Sequence, residues 1–488
     1  MPDQETVLAA SDAPPQTHAE AEPVRAVPRI AYLAVASALF MEFIDSTALS
    51  TALPTLARAF HADPVHLKLA LTSYILALAV FVPISGWAAE RFQPRRVFLA
   101  AMIVFLAGSA LCGFSTNLGE LVASRIIQGA GGALMTPVAR LIVVGSAPRG
   151  DLIKAMGWFT MPALLGPLIG PPLAGFVLSV ADWPWIFFLN LPIGLLGMIA
   201  VLKFVPRLPS QDPGRFDWSG FFLSATAITG VVVVAETGGL KLIPWWGQIG
   251  IVAVSIGCGW LYLQIAKFKT RPILNLTLLK YPTFRASLLG GTLMRLGVGA
   301  GPFLMPLLLQ VALGWTPLQA GSVTLAGGLG VFVSRPFAAP MLKRWGFRAT
   351  LLTLVAVTAV LTAAPGFFRA DTPVWLIMSF LLMSGFARSS QFIATNSIAF
   401  ADVPQTQIAQ ASTLSVVAQQ VGLAMGVSFG GLMLHYARGS GGALTPDRFT
   451  LPYLAIGAST LLAALVYYRL DRNAGAAISG ARTEEQTL

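Results

Sequence analysis

Ile30-Ala-Tyr-Leu-Ala-Val-Ala-Ser-Ala-Leu-Phe-Met-Glu-Phe-Ile-Asp45-Ser-Thr-Ala-Leu-Ser-Thr-Ala-Leu-Pro54 carries only two charges, Glu42 and Asp45, in an otherwise mostly apolar run. At about 1.5 Å per residue, a helix of this length crosses the ~30 Å hydrocarbon layer of a bilayer. An acid inside such a run is costly to keep, so its presence points to a task beyond packing. The two acids are three residues apart and share one helix face. Counting from Ile30, Asp45 lies roughly 22 Å along the helix, in the second half of the layer.

Similar runs recur near 67–89, 97–116, 119–145, 152–180, 184–205, 218–236, 243–266, 284–312, 317–341, 349–368, 373–399, 407–435 and 450–469, so fourteen spans are expected in all. Composition agrees. The chain is 55% hydrophobic and only 11% charged, whereas soluble domains carry roughly 25% charged residues. Its net charge of +11 sits in short segments between the apolar runs, which argues against a nucleic-acid partner. With the N-terminus placed inside, twenty-one of the 32 Lys and Arg residues fall in inside segments and six in outside ones. Cytoplasmic loops carry that excess. A multi-pass protein of a bacterial-type inner (plasma) membrane, with both termini cytoplasmic, is the expected arrangement.

The chain also repeats itself weakly. Gly86-x-x-x-Glu90-Arg91-x-x-Pro94-Arg95-Arg96 follows the second span, and Ala338-x-x-x-Leu342-Lys343-x-x-Gly346-x-Arg348 follows the tenth. Duplicated halves around a central site are a recurring transporter plan. The resulting partition is a polar, disordered cytoplasmic tail at 1–28, a six-helix bundle at 29–206, a linker with two additional transmembrane helices at 207–281, a second six-helix bundle at 282–470, and a cytoplasmic tail at 471–488.

Further motifs lie at fixed helices: Asp45 to Pro54 at the end of the first span; Arg125-x-x-Gln128-Gly129-x-Gly131-Gly132 in the fourth; Gly157, Gly166-Pro167-x-x-Gly170-Pro171 and Gly175 in the fifth; Trp183 to Gly194; and Phe216-Asp-Trp-Ser-Gly220. Together with the 86–96 loop they resemble the fourteen-helix drug:proton antiporter family of the major facilitator superfamily, the EmrB/QacA type, nearest its MdtD-like branch. The resemblance runs from about 30 to 470. It implies an all-α polytopic membrane protein of the major facilitator fold, two six-helix bundles plus an inserted pair. The activity it implies is proton-coupled, multidrug-type export by alternating access. The family loop usually has Asp where this chain has Glu90 and Gly where it has Pro94, so the charge is kept and the glycine turn is not.

Arg125 lies roughly 9 Å into its span from the outer face, close to the level of Asp45. A pair follows, either switched by protonation of the acid or bracing two helices permanently; Asp45, Glu42 and Arg125 are the proton-coupling candidates. Gly86, Glu90, Arg91 and Arg95 are candidates for conformational gating, with Glu90 pairing Arg91 or Arg95 to latch the inside-closed state. Gly166, Pro167, Gly170 and Pro171 join them by letting the fifth helix pack closely and bend.

Arg295 and Arg388 lie deep in the ninth and twelfth spans with no evident intraspan acid. They either bond to backbone carbonyls or await a ligand, for which a carboxylate is the planar match. Gln310, Gln391 and Asn396 complete the substrate-binding candidates. More arginines than acids within the spans favours a neutral or anionic substrate, and export of an anionic metabolite such as citrate or metal–citrate is the alternative to a multidrug pump.

Other classes find little support. His18, His61, His66 and His435 are scattered, Cys112 and Cys258 stand alone, and no Walker-type lysine motif occurs. Neither an enzyme nor an ATP-driven pump is expected, and no metal or cofactor is called for. The expected partners are a small-molecule substrate, protons and the lipid bilayer. A periplasmic adaptor protein is compatible with the plan but not indicated.

Overall fold

The computed structural model describes residues 29–147, 151–210, 212–238, 243–269, 272–439 and 442–476. The expected tails at 1–28 and beyond 476 lie outside them, as do Arg25, Arg149, Lys241, Arg271 and Arg482 from the charge count. With no water in hydrocarbon to satisfy backbone groups, an apolar run must close its own hydrogen bonds, and these runs all become helices. The first half contains α1 (Arg29–Ala59), α2 (Lys68–Phe81), α3 (Ile84–Phe92), α4 (Pro94–Gly113), α5 (Leu118–Ser146), α6 (Leu152–Val180), α7 (Trp185–Phe188) and α8 (Asn190–Phe204). The inserted pair is α9 (Trp218–Thr237) and α10 (Trp245–Ala266). The second half contains α11 (Pro282–Pro306), α12 (Pro317–Ala363), α13 (Val374–Ile398), α14 (Ile408–Arg438) and α15 (Thr450–Tyr468).

Among the described residues, 12 helices are long and apolar enough to cross a membrane, or 13 when α2 and α3, bent by 56°, count as one span. α12 is 47 residues long, or about 70 Å if straight, more than twice the hydrocarbon thickness. Gly346 breaks it with φ 68° and ψ 172°. Its two arms are the expected tenth and eleventh spans, which completes fourteen.

Capping explains several boundaries. Asn117 accepts from the Glu120 amide at 3.0 Å at the start of α5, and Glu120 accepts in return from the Thr116 amide. Thr316 and Gln319 form a fully reciprocal box on α12, each side chain accepting from the other's amide. The Phe216-Asp-Trp-Ser-Gly220 motif is a helix start: Asp217 accepts from the Gly220 amide at 2.8 Å and from Ser219 at 3.0 Å, and it pairs with Lys269 just beyond α10. Burial pushes the Asp217 carboxyl up, but the lysine and these donors outweigh it and hold the group below its ordinary range. This contact ties together the two ends of the inserted pair.

The packing is asymmetric between the two ends of the bundles. At the end where α1 finishes, one apolar core joins both halves, running from Leu49, Leu53 and Leu56 to Phe303, Leu304, Val427, Leu434 and Tyr453. At the end where α1 begins, the cores are separate. One draws its buried residues from 31–205 and another from 286–470. The halves thus share a core at one end, the sealed end, and keep separate cores at the other, the parted end, where Val416 of α14 still packs on the first half's core. That end is the basic one that holds Arg91, Arg95, Arg96, Lys343 and Arg344.

The 86–96 loop corrects the expected repeat by one residue. Its turn is made by Gln93, at φ 71° and ψ 129°, with Pro94 as the first residue of α4. The matching turn residue is Gly346, so Arg95 rather than Arg96 corresponds to Arg348. The two behave alike: Arg95 donates to the Leu202 carbonyl at the end of α8, and Arg348 stacks on Tyr468 at the end of α15. A non-glycine residue held at this φ is strained by about 1–3 kcal/mol. Gln93→Gly is expected to raise the thermal unfolding midpoint of the purified protein, and an unchanged or lower midpoint would contradict this reading of the turn.

Candidate functional site

α1 brings Asp45 against α5, and the two form a buried network. Arg125 Nη1 donates to Asp45 Oδ2 at 2.5 Å, and both side chains have 1% exposure or less. The other carboxylate oxygen accepts from Gln128 Nε2 at 2.8 Å and from Asn190 Nδ2 at 2.9 Å. Asn190 also donates to Ser109 at 2.9 Å, and Ser109 in turn donates to the Phe187 carbonyl. Arg125 Nε donates to the Ala70 carbonyl at 3.2 Å, and the guanidinium lies 4.2 Å from the Tyr74 ring centre. Buried charges persist only when paired and hydrogen-bonded, and this pair meets that condition through α1, α2, α4, α5 and α8.

Glu42 sits one turn towards the parted end. It is partly accessible and accepts from Thr136 on α5 at 2.8 Å. The acids therefore differ in access: Glu42 is partly accessible, and Asp45 is buried.

The second half presents the opposite situation. Arg295 is 4% exposed, donates to Asn396 Oδ1 at 3.3 Å and stacks on Phe392. Gln419 donates to the same Asn396 oxygen at 3.3 Å. Neither Arg295 nor Arg388 bonds a backbone carbonyl or a carboxylate among the described residues. Arg295 Nε, Arg388 Nε, Ser390 Oγ and both amide atoms of Gln391 are buried without a partner. Gln310 is held through its amide nitrogen, and its Oε1 is buried without a partner. It donates to the Thr51 carbonyl at 2.8 Å and so bridges the two halves at the sealed end.

The fifth-span motif packs both within the first half and across the seam between the halves. Gly166 packs on Phe43 and Gly170 on Thr47, both on α1. A Cβ on Gly175 would come within 2.6 Å of the Pro317 carbonyl oxygen on α12, and Gly321 of α12 packs on the Pro171 carbonyl. Glycine at these positions lets the facing backbone come this close.

The 86–96 loop departs from expectation. Glu90 is exposed and pairs with neither Arg91 nor Arg95; Arg91 lies 3.5 Å from Asp212 in the linker instead. The cores of the two halves are separate at that basic end, and no latch between Glu90 and these arginines is formed. Nothing lies within 4 Å of a Cβ placed on Gly86, so close packing does not account for it.

Sequence reasoning missed Asn190, Ser109 and Tyr74. Asn190 was visible as a lone amide within an apolar span. It also missed Lys68, counted as an outside loop charge. Lys68 is the first residue of α2, fully buried, with Nζ 3.3 Å from Glu236.

Two helical halves, sealed at one end, with a buried acid–arginine network inside the first, define a polytopic membrane transporter. A family model described as Major Facilitator Superfamily matches residues 35–303 and 287–487. The chain belongs to the Major Facilitator Superfamily. It is 34% identical over 445 residues to a protein of Pectobacterium carotovorum subsp. carotovorum, covering 89% of this chain and 94% of that one. It is 33% identical over 454 residues to one of Klebsiella pneumoniae subsp. pneumoniae, covering 90% and 94%. Both relatives bear the provisional name multidrug resistance protein MdtD. Among solved structures, a peptide transporter POT in complex with sulfate aligns with a TM-score of 0.66 at 15% identity, covering 91% of this chain and 96% of that one. A POT family transporter in complex with 5-aminolevulinic acid aligns with a TM-score of 0.67, also at 15% identity, covering 90% and 94%. At that identity the likeness shows the fold alone.

The seam predicts a specific failure. Gly321→Val cannot pack against Pro171, so the sealed end is expected to open and admit a membrane-impermeant thiol reagent to a cysteine placed at Ala57. Gly157→Ala on α6, with nothing within 4 Å of the added carbon, is the control. Equal labelling of the two variants would show that the close approach does not hold the seal.

Proposed function

We propose that the chain is a proton-coupled exporter of small molecules, of the multidrug-efflux type, working by alternating access. In this reading it lies in a bacterial-type inner membrane with its basic, parted end and both termini in the cytoplasm. It performs no covalent chemistry of its own. The observation that carries the reading is the Asp45–Arg125–Gln128–Asn190 network with Glu42 one turn away on the open side.

The network supplies the coupling. As a carboxylate, Asp45 holds Arg125 and anchors Asn190. Once protonated it cannot neutralise the guanidinium, and one of its acceptor positions becomes a donor. Glu42, in reach of the cleft, is the port through which a proton passes to or from Asp45. Substrate entering from the cytoplasmic side displaces the proton, and the halves then close behind it and part at the other end. The seam of Pro171 and Gly175 against Pro317 and Gly321 is the surface on which that end opens, while Gly166 and Gly170 keep α6 close to α1. Glu90 with Arg91 and Arg95 latches the cytoplasmic end when it closes.

Arg295 and Arg388 support the alternative substrate class, an anionic metabolite such as citrate or metal–citrate. Both lie in the second half, unpaired with any acid among the described residues, and Gln391, whose amide is unbonded, stands three residues after Arg388 on α13. Arginine offers a carboxylate a planar two-bond fork that lysine lacks.

Proton release from proteoliposomes on adding substrate tests both readings, with lipophilic cations, neutral drugs and citrate as the panel. At least one member is expected to release protons, and Asp45→Asn is expected to abolish that release while the protein remains folded. No release by any member would overturn the proton-coupled reading. If citrate is the active member, Arg295→Lys should weaken its binding about tenfold or more, in line with loss of a charge-assisted bond. Release by cations alone would eliminate the anionic alternative.

A further inference from the structure

The inserted pair α9–α10 lies beside the two bundles and takes no part in the network described above. It nevertheless carries a buried acid. Glu236, in the last turn of α9, is 4% exposed, and Lys68, the first residue of α2, is fully buried. Lys68 Nζ lies 3.3 Å from Glu236 Oε2. The other carboxylate oxygen accepts from Ser428 Oγ on α14 at 2.7 Å. The lysine stem runs along α14 as well: a Cβ on Gly431 would come within 2.6 Å of Lys68 Cδ.

One carboxylate thus touches three bodies: its own inserted helix, the first bundle through Lys68 and the second through Ser428. All these residues sit at the sealed end, since α2 starts there and α9 ends there. Parting that end moves α2 away from α14, and Glu236 can follow only one of them. Leaving with Lys68 strands the Ser428 contact. Staying with Ser428 strands a buried ammonium, and removing one partner from a buried pair is far costlier than never having had the pair. The other titratable groups on α14 are His435, Tyr436 and Arg438, about two turns or more beyond Ser428. The described part of α10 holds no charged residue that could replace Lys68.

We propose that Glu236 is an electrostatic lock through which the inserted helix holds the sealed end shut, and that Lys68 and Ser428 are its two catches. The inserted pair then sets the equilibrium between the two faces of the transporter. This inference rests on alternating access but not on proton coupling or on the substrate, so it stands or falls separately from them.

The test is the rate at which a membrane-impermeant maleimide labels a cysteine at Ala57, buried in the sealed core, in full-length protein lacking Cys258. The same protein without the probe cysteine serves as the blank. Glu236→Gln and Ser428→Ala are each expected to raise the labelling rate about tenfold or more, equivalent to one decade in the open population. The reversed pair, Lys68→Glu with Glu236→Lys, is expected to return it towards the wild-type rate. Ser428→Ala leaves the ion pair intact and so keeps the test usable if a charge variant fails to fold. Wild-type labelling in folded Glu236→Gln and Ser428→Ala proteins would overturn the lock. Raised labelling that the reversed pair fails to correct would assign the effect to packing and overturn it equally.

Discussion

Arg125 has 0% exposure, deep in an apolar bundle, and the rest of the first half is arranged around that fact. Such a cation persists only with a paired, hydrogen-bonded anion, and stranding it costs about 3–5 kcal/mol. Asp45 supplies the charge, but holding its carboxylate in place takes Gln128 from the same helix as Arg125 and Asn190 from α8. Asn190 in turn reaches Ser109 on α4, and Arg125 reaches Ala70 on α2. The ion pair therefore stitches five helices together and lets the first bundle move as one body. A bundle that moves as a unit is what alternating access requires, and the proposed cycle places the proton at the joint.

The two halves share a plan and divide the chemistry. The turns at Gln93 and Gly346, and the arginines just after them that reach the last helix of each bundle, mark the duplication. In the first half the deep arginine has an acid. In the second, Arg295 and Arg388 have none among the described residues, and Gln391 has no partner for either amide atom. That asymmetry supports the division proposed above, with protons handled on one side of the cleft and substrate on the other. Between the halves, the seam relies on backbone approach at Gly175 and Gly321 rather than on interlocked side chains, a surface that can part without unpacking either core.

Helix positions were readable because hydrophobic run length and the Lys/Arg bias act locally along the chain. The depth of Asp45 and Arg125 was readable too, since rise per residue turns sequence distance into height, and two opposite charges at one height in apolar surroundings must meet. Lys68 was not, because it stands at a helix start, where a lysine normally reaches water. Its burial depends on Glu236 and Gly431, more than a hundred and fifty residues away. The Gln310 bond across the halves was hidden for the same reason, since its partner, the Thr51 carbonyl, is remote in the chain. The shift of the turn from Pro94 to Gln93 was hidden because proline can open a helix only after the turn has been made.

The central claim is that the charge on Asp45 sets which end of the molecule is open. Spin labels at Arg96 and Lys343, one on each half at the basic end and both exposed, report that opening through their interspin distance distribution. In the wild type the distribution is predicted to shift between a long and a short population as pH is varied. In Asp45→Asn, which carries no charge at any pH, it is predicted to stay fixed in one population. A mutant whose distances respond to pH as the wild type's do would contradict the account.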